Sequence, residues 1–416
     1  MREVLKVRNF RMLWLGQVIS SFGDSLTSLS LLILVNHLTG STAALALMVI
    51  VMAIPQVTIG LVAGVYVDRF NRQRIMIMSD VVRGVMVLGF ILVGSRETLW
   101  LLYVIGFAQA TVGTFFGPAR SAIIPKLVAE DQLMNANALS QTSDIFARVL
   151  GTAAAGLLIG VLDVYWPAFV IDSLTFFISA LFIMRITAPS LPTQAVSGGA
   201  SMVGQQLKEG LQIIVHSRIL TGTLVAAGVT MLGLGAVNIL LVPLIVNDLR
   251  LPETWFGLLE VAQVSSMILS AAVVGYLAAH YRPTRIVSAS LIGMGSFVAL
   301  IGALDAIWQL WLVLFAIGWF VTPLQASIST ITQTAIPDEL RGRVGAALGT
   351  LIQSANLLSM AMAGVIGDVV GIRGAFFLGG ALVILAGVAS AQVFGKGQGE
   401  PTHIETTAES RMANAV

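Results

Sequence analysis

Residues 64–74 read Gly64-Val-Tyr-Val-Asp68-Arg69-Phe-Asn71-Arg72-Gln-Arg74, and long apolar stretches flank them on both sides. A worn copy, Gly275-Tyr-Leu-Ala-Ala279-His280-Tyr-Arg282-Pro-Thr-Arg285, begins 211 positions later, about half the chain. A glycine and then an arginine-rich turn between two membrane-length segments, repeated at half-length, predicts a duplicated membrane protein. A second echo agrees with this. Ile124-Pro125 and Ile336-Pro337 lie 212 positions apart, and each closes a long apolar segment.

Composition points the same way. The chain has 416 residues, 56% of them hydrophobic and 11% charged, against roughly 25% charged in a soluble domain. Mean hydropathy is +0.90. A water-soluble chain of this length needs more polar surface than that, so lipid is the solvent for most of it. There is no cysteine, which excludes disulfides, thiolate metal sites and thiol nucleophiles. The four histidines are scattered. No phosphate-binding glycine loop, H-E-x-x-H or G-x-S-x-G pattern occurs, so neither a nucleotide motor nor an enzyme is expected, and no cofactor or metal. Nothing points to nucleic acid. The first apolar run is too long for a cleavable leader.

A membrane helix needs about 20 mostly apolar residues. Twelve segments qualify, near 13–35, 43–67, 75–93, 99–119, 137–162, 166–186, 220–246, 256–279, 286–304, 308–333, 342–365 and 375–393. Lys and Arg sort between their ends very unevenly. One set of ends and loops carries 18, the other only Arg96, Arg250 and Arg373. The positive-inside rule then puts both termini in the cytoplasm, which requires an even number of spans. The expected fold is an all-α polytopic membrane protein, with twelve transmembrane helices in two pseudo-symmetric six-helix bundles. The bundles are expected at 1–188 and 219–395, in the plasma (cytoplasmic) membrane. Between them, 189–218 begins with Pro-, Ser- and Gly-rich linker sequence. It ends with Leu207, Leu211, Ile214 and Val215 on one helical face, which predicts a helix lying on the inner membrane surface. Residues 396–416 read as a disordered polar tail.

Two six-segment halves with a long central loop, and the 64–74 turn, resemble the major facilitator superfamily up to about residue 395. Phe116-Gly-Pro-Ala-Arg120-Ser-Ala-Ile-Ile-Pro-Lys-Leu-Val128, Asn135-Ala-Asn-Ala-Leu139 and Pro337-Asp-Glu-Leu-Arg-Gly-Arg-Val344 are similar to its drug-proton antiporter group, which includes macrolide and siderophore exporters. The resemblance implies a monomeric secondary transporter in contact with membrane lipids. It would exchange protons for lipophilic or amphipathic small molecules by alternating access. The alternative is a facilitator or importer of a metabolite, lipid or metal ion. The resemblance also implies a conformational latch formed by Gly64, Asp68, Arg69 and Arg72, where the bland reading is that the arginines only set topology. Two departures from the family pattern stand out. Asn71 replaces its usual glycine, and Ala279 and His280 replace the Asp-Arg of the second copy, so the latch is expected mainly on the N-terminal half.

Charges inside spans cost at least about 2.5–3.5 kcal/mol at the bilayer centre, so each needs a reason. Asp24 lies midway along the first segment in Ser20-Ser-Phe-Gly-Asp24-Ser25, with no basic residue within one turn. Desolvation favours the neutral form of a carboxyl and lets it exchange protons. Asp24 is therefore the first proton-coupling candidate, unless neighbouring hydroxyls simply cap it. Glu260 and Asp144 follow. Asp144 and Arg148 share a helical face and could form a local structural pair. Asp172 and Arg83 have weaker claims of the same kind, and snorkelling accounts for Arg120. Gly156 and Gly160 make a small-residue seam in the fifth segment. Gln109, Thr114, Asn238, Trp319 and Gln325 are the candidates for lining a substrate cavity.

Overall fold

The computed structural model describes residues 2–60, 63, 66, 67, 70–187, 209, 211–215, 217–336 and 338–396. Gly64, Asp68 and Arg69 of the expected latch lie outside these residues, as do most of the central loop and the tail.

Among the described residues the structure is helical, with no strand. The long helices are α1 (Arg8–Thr39), α2 (Thr42–Thr58), α3 (Arg72–Leu88), α4 (Leu99–Gly113), α5 (Phe116–Leu127), α6 (Leu133–Leu162) and α7 (Trp166–Met184). They continue with α8 (Arg218–Pro243), α9 (Trp255–His280), α10 (Pro283–Ile301), α11 (Ile307–Ala335), α12 (Asp338–Val370) and α13 (Ile372–Lys396). Among the described residues ten helical stretches are long and apolar enough to cross a membrane, and shorter apolar helices occur at Thr42–Thr58, Leu220–Met231 and Val237–Asp248. Many large apolar side chains point outward, for example Leu157, Val161, Leu385 and Val369. Such surfaces would aggregate in water and are stable against lipid tails.

The chain forms two compact units. One takes the described residues of 1–200 together with 239–261, and the other takes those of 201–238 and 262–416. In the first unit α1 packs along α6 and α7, and α3 packs along α7 and α4. In the second, α10 packs between α11 and α13.

The close approach of α1 to its neighbours depends on glycine. A Cβ at Gly151 of α6 would overlap the carbonyl of Phe22 and stand 2.8 Å from Ser25 Cβ. A Cβ at Gly23 would overlap Thr175 Oγ1 and Asp172 Oδ1 of α7. Gly156 and Gly160 also serve as a seam, with the 253–254 backbone running against them. Small residues that let backbones meet are the usual basis of helix association in lipid.

Two helix ends carry local detail. The Asn71 departure has a local reason. Asn71 is the N-cap of α3, and its Oδ1 accepts the Arg74 N–H at 3.1 Å. Asn71→Ala is expected to cost about 1 kcal/mol of stability, read as a small downward shift in the melting of the purified protein, whereas Asn71→Asp should match the parent. Of the apolar face expected at 207–218, Leu207 lies outside the described residues. Ile214 is fully buried against Leu220, Ile336 and Val344 of its own unit, while Val215 is exposed.

Candidate functional site

The charges of the first unit gather around one guanidinium. Arg83 projects from the middle of α3 and its Nη2 donates to Asp24 Oδ1 at 2.5 Å. The Arg83 Cζ lies 4.2 Å from the ring centroid of Phe176 on α7, a cation–π contact. The Asp24 side chain is 40% exposed and that of Arg83 only 16%. Asp24 is therefore the open end of a charged site that runs into the protein. Its neighbouring hydroxyls do not cap it. Ser20 donates to Gln17 O, Ser25 to Ser21 O, and Ser21 to Asp144. The absence of a base near Asp24 in sequence is thus overturned in space, because α3 brings one from 59 positions away.

Two further carboxyls stand behind this pair. Asp172 of α7 is fully buried against Gly23, and its Oδ1 accepts from Thr175 Oγ1 at 3.2 Å. Asp80 of α3 is 1% exposed. Both oxygens of Asp80, and Oδ2 of Asp172, have no hydrogen-bond partner among the described residues. Asp80 was missed in the sequence. A signal was available: Asp80 and Arg83 are an acid and a base three apart inside one apolar segment, and each such charge needs a reason.

Asp144 does not pair with Arg148. Its Oδ2 accepts from Arg120 Nη2 at 3.1 Å, and its Oδ1 accepts from Ser21 at 3.2 Å. Arg120 therefore has a specific partner, and snorkelling is not needed to explain it. Arg148 is instead the cation whose field reaches the half-buried Glu260. Beside this region a shallow apolar groove of about 330 Å³ runs between α1 and α6, lined by Val18, Ile19, Phe22, Phe146 and Leu150 among others.

The end of α1 away from the 64–74 turn carries a second polar group. His37 Nε2 lies 3.1 Å from Glu253 Oε1, and the Tyr165 hydroxyl bonds His37 Nδ1. Asn36 and Asn247 exchange amide bonds at 3.0 Å in both directions. Burial, followed by the fields of Glu253 and Asp163, pushes the Tyr165 phenol above its ordinary value, so it remains a neutral donor.

The remaining candidates are dispersed. Arg72 opens α3 and is half-buried. Gln109 is buried at 3% exposure, with its Oε1 unbonded. The Thr114 hydroxyl donates to Ala110 O of its own helix at 2.8 Å. Asn238 and Gln325 are exposed, and Trp319 accepts a bond from Ser270 through its backbone carbonyl.

A helical chain of apolar spans with a charged site buried in one unit is a transporter's architecture, and comparison with known proteins agrees. Residues 4–405 match the family described as transmembrane secretion effector. The chain belongs to that family, within the major facilitator superfamily. It is 28% identical to an uncharacterized MFS-type transporter, YfiS, of Bacillus subtilis (strain 168), with 90% of each chain covered. It is 23% identical to macrolide efflux protein A of Streptococcus pyogenes, over 92% of this chain and 95% of that one. Among solved structures it resembles a bacterial homologue of the iron transporter ferroportin in an inward-facing state. The TM-score is 0.73 at 16% identity, covering 94% of this chain and 98% of the other. That likeness concerns the fold alone. This superfamily member is accordingly a multi-pass integral membrane protein.

Proposed function

We propose that this transporter is a proton-coupled exporter of lipophilic or amphipathic small molecules. It works by alternating access between two six-helix bundles, twelve spans in all, with both termini in the cytoplasm. The observation that carries this reading is Asp24. It is a mid-helix carboxylate, 40% exposed, paired with a guanidinium brought from another helix. A carboxylate in that position is able to bind a proton or a cationic solute but not both, and this exclusion is what couples two fluxes. Similarity to a macrolide efflux protein supports the direction of transport. Glu260 and Asp144 are secondary coupling candidates. Gly64, Asp68, Arg69 and Arg72 are proposed as the latch. Gln109, Thr114, Asn238, Trp319 and Gln325 are proposed as substrate contacts.

The test uses proteoliposomes loaded with a macrolide or with tetraphenylphosphonium, with and without an imposed proton gradient. The parent should accumulate substrate against its gradient. Asp24→Asn keeps the size and removes the titration, so it should abolish accumulation and leave some downhill exchange. An Asn variant that still concentrates substrate as well as the parent would move the coupling role to Glu260 or Asp144.

A further inference from the structure

Asp80 and Asp172 are the two most deeply buried acids of the charged site, and the pairing of Asp24 with Arg83 leaves them without a role. Each has a fully buried hydroxyl near it that is itself without a hydrogen-bond partner among the described residues: Thr27 of α1 lies by Asp172, and Ser179 of α7 lies by Asp80. The charged groups acting on Asp172 are Asp24 and Arg83, and the same two act on Asp80. Among the described residues α4 and α6 add no further charge to either. One guanidinium thus faces three carboxyls, and it is already bonded to the most exposed of them. Three ionised carboxylates would leave two uncompensated negative charges in a dry core, which is costly. Neutral acids in the same places need only a hydroxyl or carbonyl to accept one proton.

We propose that Asp172 and Asp80 are the proton store of this transporter, and that Arg83 passes from Asp24 to Asp172 when Asp24 takes a cationic solute. The proposal rests on the proton-coupled reading above. The exchange balances in charge. Before it, Asp24 carboxylate pairs with Arg83 and Asp172 is a neutral acid. Afterwards, Asp24 carboxylate pairs with the cation, Arg83 pairs with Asp172 carboxylate, and the Asp172 proton has left for water. One cation enters for each proton released, and the net charge of the site is unchanged. The geometry suits the transfer. Asp172 lies against Gly23, the residue next to Asp24, and Arg83 already sits over Phe176, one helical turn from Asp172 on α7. Asp80, three residues before Arg83, holds the second proton.

Infrared difference spectroscopy of the reconstituted protein, titrated from alkaline to acid pH, reads neutral carboxyl groups directly. The parent should show a titrating carboxylic C=O band. Asp80→Asn and Asp172→Asn should each reduce it, and the double variant should lose most of it. In weakly buffered solution, tetraphenylphosphonium should release about one proton per bound cation from the parent and none from Asp172→Asn. If an Asn variant fails to fold, Asp172→Glu and Asp80→Glu serve instead, and these should titrate at a shifted midpoint. A band that survives in the double Asn variant, or Glu variants that titrate as the parent does, would overturn the proposal. Loss of gradient-driven accumulation in the parent itself is a separate result. It would remove the proton-coupled reading, whereas intact accumulation with an unaltered carboxyl band removes only the store.

Discussion

Arg83→Met is expected to be among the most damaging single substitutions in the first unit, and Asp24→Asn in the same chain should undo much of the damage. Methionine keeps the length and the contact with Phe176 but removes the one cation that faces Asp24, Asp80 and Asp172. Removing one partner of a buried ion pair costs about 3–5 kcal/mol, because a charge is left without compensation. Here the loss should fall near the lower end, about 3 kcal/mol, since Asp24 is 40% exposed and keeps some water. Neutralising Asp24 in the Arg83→Met background removes the uncompensated charge, so the two effects should be strongly non-additive. Heating the detergent-solubilised variants and following the monodisperse fraction by gel filtration gives all four corners of the cycle. Additive losses, or an Arg83→Met protein as stable as the parent, would mean that the pair is ornamental.

The cycle also shows which part of the site was legible in sequence. Apolar segment length is a property of the chain itself, so the all-helical, multi-span character was readable: the segment expected at 166–186 is helix from Trp166 to Met184. Asp24 was readable too, because an acid mid-span is expensive wherever its partner comes from. Its partner was not. Helical spacing sees only residues three or four apart, which is why Asp144 was matched with Arg148 on its own helix. In the fold Arg120 of α5 reaches Asp144 instead. Asp80 stands three residues from Arg83 on the same helix, yet α3 directs Arg83 toward Asp24. Burial of Asp80 depends on how α3 packs along α7, and no single segment encodes that. Asn71 is the reverse case. It departs from the family pattern, and locally it is a helix cap.

The last expected result concerns the seam that holds the site together. Gly23→Ala should destabilise the protein clearly, Gly16→Ala mildly and Gly60→Ala not at all. The three glycines differ in what a methyl would meet. At Gly23 it would overlap Thr175 Oγ1 and Asp172 Oδ1 and stand 3.1 Å from the Asp172 Cα, so backbone as well as side chain must yield. At Gly16, on the same face of α1, it meets Ser179 Oγ at 3.1 Å and Ser179 O at 3.3 Å, which a small shift relieves. At Gly60 the nearest atom is Thr114 Cγ2 at 3.9 Å, an ordinary contact. Overpacking costs about 1–3 kcal/mol where neighbours must move. In open space the better helix propensity of alanine adds up to about 1 kcal/mol in favour. The ranking should appear as melting order in detergent, with Gly60→Ala at or above the parent. Gly23→Ala carries a second consequence, because the methyl presses on Asp172 and leaves Asp24 and Arg83 chemically intact. Its transport should shift in pH dependence even after scaling for the amount of folded protein, whereas Gly16→Ala should keep the parent's profile. Equal stability losses at positions 23 and 60, or an unshifted profile at 23, would show that the approach of α1 to α7 at Asp172 does not set the chemistry of the site.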